Sequence, residues 1–203
     1  MTSVDHFPGC KYIIGIDEAG RGPIAGPVAV GVVILPVDAE EESGFRDSKK
    51  LAQHKREQIF DDMRLRRKAG ALQFTVSMTS ANRIDSIGIV QAVRHAMNRA
   101  LDRLQARPEE CLVLLDGGLR APKKFRYQQT IIKGDEKVYA IALASVAAKV
   151  TRDAQMRALG YRFPGYGFEQ HKGYGTREHY KALKRIGICG EHRQSFLKKV
   201  LET

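Results

Sequence analysis

Two β-branched runs near the N-terminus, residues 12–17 and 28–35, are separated only by a short turn rich in glycine and proline. A connection of that length brings the second run back against the first, so the chain is predicted to open with a hairpin that seeds a sheet. Residues 53–68 read as a helix, and 71–77 alternate as a further strand. The three- and four-residue spacing of Ile87, Val90, Val93, Ala96 or Met97, Ala100 and Leu104 predicts one amphipathic helix over 87–105, its apolar face buried on the sheet. Residues 111–115 and 127–133 read as strands that run into the loops Asp116-Gly117 and Gly134-Asp135. An Ala-rich stretch over 138–159 has the propensity of a helix, with Gly160 as its stop. Residues 162–176 are rich in glycine, aromatic and basic side chains, and two shorter helices follow. Strands first and helices alternating later argue for one α/β domain over 1–203. It is a mixed β-sheet flanked by helices, with a helical C-terminal extension from about residue 160.

Charge narrows the partner. Lys and Arg number 34 against 23 Asp and Glu, a formal net charge of +11, and a field of that sign attracts polyphosphate. Many basic proteins never touch nucleic acid, so charge alone leaves the question even. Cys10, Cys111 and Cys189 are odd in number and widely separated, the pattern of free thiols rather than of a disulfide framework. Cys189 and His192 could begin a zinc site, but no second ligand pair stands at finger-like spacing. The first ten residues lack the basic start and apolar core of a signal peptide. The longest apolar stretches, 28–35 and 141–150, fall short of the roughly 20 residues that span a bilayer. A soluble, cytoplasmic and monomeric protein with no membrane contact is expected.

The segment Asp17-Glu18-Ala19-Gly20-Arg21-Gly22-Pro23 carries the most chemistry. Consecutive strand residues face opposite sides, so adjacent carboxylates converge only where the strand ends or where a backbone carbonyl joins one of them. Such a junction makes a hard oxygen site for Mg²⁺ or Mn²⁺. Gly20 and Gly22 permit close backbone approach, and Arg21 can reach a phosphate or sugar oxygen. By itself the segment reads equally well as a solvated acidic turn. Gly20-x-Gly22-x-x-Ala25 formally matches a dinucleotide fingerprint, but Pro23, Gly26 and Pro27 lead into a strand rather than the required helix. Asp116 and Asp135 each follow an apolar run beside glycine, where turn chemistry is the ordinary reading. Four carboxylates at the ends of three strands nevertheless suit a two-metal site, which gathers oxygen ligands from separate elements. Their charges balance two divalent cations, so the metal pair could accept an anionic phosphodiester in a protein whose surface is otherwise basic. Residues 167–176 interleave Lys172 and His171 with Phe168 and Tyr174, which suits stacking and backbone contacts or, equally, a packed loop. No nucleophile-elbow serine, Cys-His arrangement for covalent acyl transfer or phosphate-binding loop is apparent in the sequence.

Taken in order, the motifs resemble the ribonuclease HII family over nearly the whole chain. They are Gly15-Ile-Asp17-Glu18-Ala-Gly20-Arg21-Gly22-Pro23, Asp47-Ser48-Lys49-Lys50-Leu51, Leu115-Asp116-Gly117, Lys133-Gly134-Asp135 and Ala144-Ser145-Val-Ala-Ala-Lys149-Val-Thr-Arg152-Asp153. Tyr166-Gly167, His171-Lys172-Gly173-Tyr174 and His192-Arg193-x-Ser195-Phe196 follow. The resemblance implies a ribonuclease H-like fold and a Mn²⁺- or Mg²⁺-dependent endoribonuclease that cuts the RNA strand of RNA-DNA hybrids and single ribonucleotides embedded in duplex DNA. Asp17, Glu18, Asp116 and Asp135 would be the catalytic metal ligands, with Asp17 shared between two ions. Gly20, Arg21, Gly22 and Tyr174 would grip the 2′-hydroxyl at the RNA-to-DNA junction, and Lys49 would join them in substrate binding. The implied cut is an in-line attack by water 5′ of the ribonucleotide, leaving 5′-phosphate and 3′-hydroxyl ends, as ribonucleotide removal and primer processing require. Arg21 separates the chain from ribonuclease HIII proteins, which lack it and carry an added N-terminal domain. Ile141-Ala-Leu-Ala-Ser145 departs from the family's smaller residues, a change expected to alter packing and not catalysis. A clamp-docking segment at the C-terminal tail is left open. So are two other classes: a non-catalytic hybrid-binding module, and a resolvase- or transposase-like metal nuclease.

Overall fold

The computed structural model describes residues 7, 9–39 and 51–201. The Asp47-Lys50 part of the second motif, Lys49 included, lies outside the described residues. The opening hairpin forms as expected: β1 (Tyr12–Ala19) and β2 (Val28–Pro36) pair antiparallel, with Tyr12 opposite Pro36 and Ala19 opposite Ala29. β3 (Gln73–Thr79) pairs antiparallel with β2, while β4 (Cys111–Asp116) and β5 (Gln128–Ile131) add parallel strands beyond β1. The five-stranded order is β3-β2-β1-β4-β5, so the mixed α/β sheet expected from the sequence is present.

Strand alternation sends side chains to two cores. On one face Ile14, Ile16, Val113 and Leu115 bury against α2 (Ala81–Ile87) and α3 (Ile89–Arg103). On the other, Val33, Leu35 and Phe74 meet α1 (Gln53–Lys68) and α4 (Tyr139–Arg162). α4 is buried on every side from Tyr139 to Ala148, which is why this stretch is apolar all round instead of amphipathic. Its alanines let it lie directly on the sheet, and the sheet reciprocates with glycine. A Cβ on Gly15 would enter the Ala140 carbonyl, and one on Gly31 would enter that of Ala144. Ile141 fills the gap at Gly134 and Ile131, a packing role in line with its departure from the family pattern.

The C-terminal extension comprises α5 (Phe168–His171), α6 (Arg177–Ile186) and α7 (Gln194–Leu201). Phe168, Ala182, Leu183 and Leu197 bury with Ile24 and Ala25 of the β1–β2 turn and with Met156 and Leu159 of α4. Asp85 of α2 accepts the Gln194 and Ser195 backbone N–H groups at 2.8 and 3.0 Å, capping α7 and tying the extension to the domain. Among the described residues no helix is long and apolar enough to cross a membrane.

Several boundaries differ from the sequence reading; the strand expected over 71–77, for one, lies at Gln73–Thr79. The helix expected over 87–105 is two helices, because Gly88 takes φ 77° and its N–H closes α2 on the Ile84 carbonyl. The apolar spacing carries on through the break, so periodicity hides it; Val90, placed on the apolar face, is exposed. Gly160 does not stop α4, which runs on to Arg162. The bare Cα makes room for Glu169, which a Cβ would overlap. The strand expected over 127–133 shrinks to Gln128–Ile131. Lys133 turns left-handed at φ 55° and the chain enters a 3₁₀ turn, Gly134–Glu136.

Candidate active site

β1 does not end at the acidic pair but stays in the sheet through Asp17 and Glu18 to Ala19. The two carboxylates therefore leave opposite faces. Parallel pairing sets Ile16 level with Leu115, so Asp17 and Asp116, one step further along β1 and β4, stand side by side on one face. That face is the one under α4, because Asp17 lies opposite Gly31, over which Ala144 passes. Asp17 is buried, and its Oδ1 accepts the Glu18 N–H at 2.8 Å. Asp116 Oδ1 accepts the Gly134 N–H at 2.7 Å. This bond draws the 3₁₀ turn, and with it buried Asp135, to the end of β4. Asp135 thus reaches the site from the turn that leads into α4 and not from a strand end, a correction to the sequence reading. Glu18 sits at the edge, its Oε1 taking the Arg21 guanidinium at 3.2 Å.

Among the described residues no three His, Cys, Asp or Glu side chains gather into a ready cage for a metal ion. The donor set nevertheless suits a hard cation: it offers carboxylate oxygens only, with Asp17 and Asp116 adjacent and oriented by backbone N–H donors. Like-charged carboxylates separate unless a cation screens them. Here Glu18 is drawn instead to Arg21, the nearest cation in its loop.

Beside Glu18, the one of these carboxylates in its lining, opens a cleft of about 320 Å³. Glu18, Gly20, Arg21 and Gly22 form one wall and Tyr174, half exposed, forms another. The floor comes from α4, where Ser145, Lys149 and Arg152 fall at steps of four and three residues and so share one helix face. Arg56 of α1 closes the far side. Four cations against Glu18 make this wall system electropositive, a match for a phosphodiester. Sequence reasoning gives Arg56, Ser145, Lys149 and Arg152 no role, although the spacing of the last three on an expected helix is readable.

The loop that carries Gly20, Arg21 and Gly22 is held by two arginines buried almost completely. Arg193 donates to the carbonyls of Gly20 (2.7 Å), Arg21 (3.0 Å) and Gly26 (3.0 Å). Arg152 donates to Pro27 (2.9 Å), Ala25 (3.4 Å) and Lys172 (3.0 Å). Burial, then the nearby Arg152 charge, pulls the Arg193 pKa down to about 9, which leaves it protonated at neutral pH. Burial also lowers that of Arg152. Gly20, at φ 89°, lies against the Arg152 guanidinium with no space for a Cβ. The Gly173 carbonyl accepts the Ile24 and Ala25 N–H groups at 2.9 and 3.2 Å, so the Tyr174 segment and the glycine loop form one unit. The His192-Arg193-x-Ser195-Phe196 motif is thus structural: Arg193 clamps the loop over the Phe196 ring, 5.2 Å away, and Ser195 meets Asp85. Cys189 and His192 are neighbours, Sγ to Nδ1 3.2 Å, within a cluster of histidines and not of further sulfur ligands.

A five-stranded mixed sheet with carboxylates at one end of its two central parallel strands, under a buried helix, is the ribonuclease H-like fold. The sequence model of one family, described as Ribonuclease HII, matches residues 14–199. Ribonuclease HII of Bacillus cereus (strain Q1) is 46% identical over 188 residues, 93% of this chain and 70% of the relative. RNase HII in the PCNA complex from Archaeoglobus fulgidus superposes with a TM-score of 0.70 at 25% identity, over 89% of this chain and 93% of that one. The ribonuclease H2 from Pyrococcus horikoshii OT3 shares the fold, with a TM-score of 0.69 at 23% identity over 94% and 97% of the two chains. So does Bst-RNase HIII in complex with Mn²⁺, with a TM-score of 0.60 at 16% identity over 96% and 67%. The chain belongs to the ribonuclease HII family and is an endoribonuclease.

Proposed function

We propose that the chain cleaves the RNA strand of RNA-DNA hybrids, and single ribonucleotides embedded in duplex DNA, on the 5′ side of the ribonucleotide. The observation that carries this reading is the placement of Asp17 beside Asp116, with Asp135 drawn in through Gly134, next to an electropositive cleft rimmed by Tyr174. Asp17, Glu18, Asp116 and Asp135 would hold two divalent ions, Mg²⁺ or Mn²⁺; the Mn²⁺ complex of Bst-RNase HIII is in keeping with the second. When bound, the ions would supply Lewis acidity to the scissile phosphate and lower the pKa of the attacking water. The protein's own part is positioning. Lys149, Arg152 and Arg56 attract the phosphodiester backbone, and Lys149 is fixed by a 2.8 Å ion pair with Asp153. Backbone groups of Gly20, Arg21 and Gly22 approach the sugar from one wall and the Tyr174 ring from the other, the geometry suited to reading a 2′-hydroxyl. Lys49 joins the substrate contacts in this reading. Products with 5′-phosphate and 3′-hydroxyl ends would serve ribonucleotide removal and primer processing. The A. fulgidus complex with PCNA supports a contact of this chain with a replication clamp, and a monomer is proposed in solution.

A labelled DNA duplex containing one ribonucleotide, incubated with Mg²⁺, Mn²⁺ or chelator beside an all-DNA control, tests the proposal. A metal-dependent nick 5′ of the ribonucleotide and none in the control is the expected result. Tight binding without a nick would overturn it in favour of a hybrid-binding module.

A further inference from the structure

Beneath Tyr174 lies a group of imidazoles, two of them buried, that the reaction does not use. His179 of α6 and His192 are fully buried, and their Nε2 atoms are 3.0 Å apart. His171 of α5 stacks on His179 at 4.3 Å between centroids, nearly parallel at 16°. Phe168 packs edge-on against His179, so the His179–His192 pair is walled from water.

Backbone donors fix which nitrogen carries each proton. His192 Nδ1 faces both the Cys189 N–H at 2.9 Å and the Cys189 carbonyl at 3.2 Å; the shorter bond makes this nitrogen an acceptor, so that neutral His192 carries its proton on Nε2. His192 Nε2–H then donates to His179 Nε2, which places the His179 proton on Nδ1. His179 Nδ1–H donates to the Tyr174 carbonyl at 2.9 Å. In the same way the Gly173 N–H, 3.2 Å from His171 Nδ1, makes His171 a donor from Nε2 to the Tyr166 carbonyl at 2.7 Å. The reversed assignment fails at both ends. It would set a lone pair of His179 against the Tyr174 carbonyl and exchange the 2.9 Å bond from the Cys189 N–H for a longer one, 3.2 Å, to the Cys189 carbonyl. An added proton on His179 fails too, because it sets the Nε2–H groups of His179 and His192 head to head.

We propose that His192 and His179 form a neutral, one-directional hydrogen-bond relay that positions Tyr174 for ribonucleotide recognition. His179 and His192 are positioning residues, acting through the Tyr174 backbone without touching substrate. The proposal rests on Tyr174 reading the 2′-hydroxyl as set out above. The Tyr174 peptide is pinned on both sides: its N–H donates to the His171 carbonyl at 3.0 Å and its carbonyl takes the relay. His179 also closes α6, its own N–H donating to Thr176 Oγ1 at 3.2 Å. Burial, chiefly, holds the His179 pKa down at about 4, with the facing rings of His171 and His192 adding to it; His192 is lowered by burial in the same way. The groups around the relay are His171 from α5 and Cys189 and Tyr166 from the adjoining loops. Among the described residues no carboxylate reaches the three rings by a hydrogen bond or ion pair.

Two measurements test this on the intact protein. Nitrogen-15 NMR of labelled histidine side chains at pH 7 should find two neutral buried rings, His179 as the Nδ1–H tautomer and His192 as Nε2–H. An Nε2–H tautomer at His179 overturns the relay, whatever the enzyme does. In the second, cleavage of the single-ribonucleotide duplex is compared for His179→Leu, His179→Asn and Tyr174→Ala, alone and combined. Asn keeps an N–H near the Nδ1 position, so most of the rate should survive; Leu should lower kcat at least tenfold. Adding His179→Leu to Tyr174→Ala should cost little more than Tyr174→Ala alone. Losses that multiply in the double variant overturn the positioning role. Should the wild-type chain leave that duplex intact, the proposed function falls and the NMR result alone judges the relay.

Discussion

Gly15 offers the sharpest test of how the fold serves the site. An added methyl at Gly15 would lie 2.6 Å from the Ile141 backbone nitrogen and closer still to the Ala140 carbonyl. Ordinary contact for a Cβ begins at 3.4 Å, so clearing the Ala140 carbonyl requires α4 to lift from β1 by more than about 1 Å. The obstruction is backbone, so trimming a neighbouring side chain cannot relieve it. Overpacking of this kind costs about 3 kcal/mol, or roughly 6–12 °C of melting temperature for a domain of this size. The functional loss should exceed that expected from stability alone. Asp135 sits in the turn that leads into α4, so lifting the helix strains the Gly134–Asp116 bond that brings Asp135 to the site. A misplacement approaching 1 Å costs on the order of a hundredfold in rate. Gly15→Ala should therefore melt lower and, assayed well below its melting temperature, cleave about a hundredfold more slowly with nearly unchanged substrate affinity. Gly31→Ala, which meets α4 one turn on, should act through the same displacement, so the double variant should lose less than the two singles added together. A Gly15→Ala variant with wild-type melting and wild-type kcat would refute the argument that α4 sets the position of Asp135.

The other consequences are more direct. Asp17→Asn, Asp116→Asn and Glu18→Gln keep the side-chain shape and remove the charge, so each should lower kcat at least a hundredfold while gel-shift affinity for a hybrid stays within about threefold; full turnover in all three would unseat the site. Arg193→Met leaves the Gly20, Arg21 and Gly26 carbonyls without their buried donor, a cost of about 3 kcal/mol or more, and should show as a lower melting temperature together with a raised KM. Arg56→Ala removes a cation from the cleft wall, so binding should weaken alike on all-DNA and hybrid duplexes, with a shallower salt dependence. The His179 pKa stands at about 4 against an ordinary 6.5, so the unfolded chain takes up that proton first as pH falls. Stability from this group is complete above about 6.5 and should be lost progressively down to about 4, by up to about 3 kcal/mol; equal losses for His179→Leu and wild type across that window would exclude the histidine as the cause.

Much of this site is legible in the sequence because its chemistry is local. Asp17, Glu18 and Asp116 each follow a short apolar run, and such a run names its strand and the side of the sheet end toward which the acid lies, although β1 continues past the acids to Ala19. What the run cannot give is register. That Asp17 stands level with Asp116 depends on a parallel pairing between segments about a hundred residues apart, and on α4 crossing both at glycines. The apolar stretch before Asp135 continues past Ile131, so the sequence points to a strand end there. The left-handed turn at Lys133 that ends the strand carries no glycine to announce it. The break at Gly88 escapes notice for the converse reason, since helical periodicity survives a one-residue interruption.

The buried arginines and histidines are the least readable, and their invisibility has one physical source. A buried arginine or histidine is improbable on composition alone, and becomes tolerable only when a particular set of carbonyls or ring nitrogens surrounds it. Arg193 finds its acceptors in the glycine loop about 170 residues earlier, and His179 finds one acceptor in Tyr174 and one donor in His192. These partners are backbone groups or other basic rings, so no complementary acid marks them in the sequence as an ion pair would. The same feature ties them to function. A carbonyl held by a buried charge or a neutral imidazole is fixed more firmly than one left to water, and the carbonyls so fixed are those of Gly20, Arg21 and Tyr174, the residues that line the cleft. The substrate loops therefore draw their rigidity from the C-terminal extension. Destabilising that extension should raise KM for ribonucleotide-containing duplexes before it unfolds the sheet that carries the carboxylates.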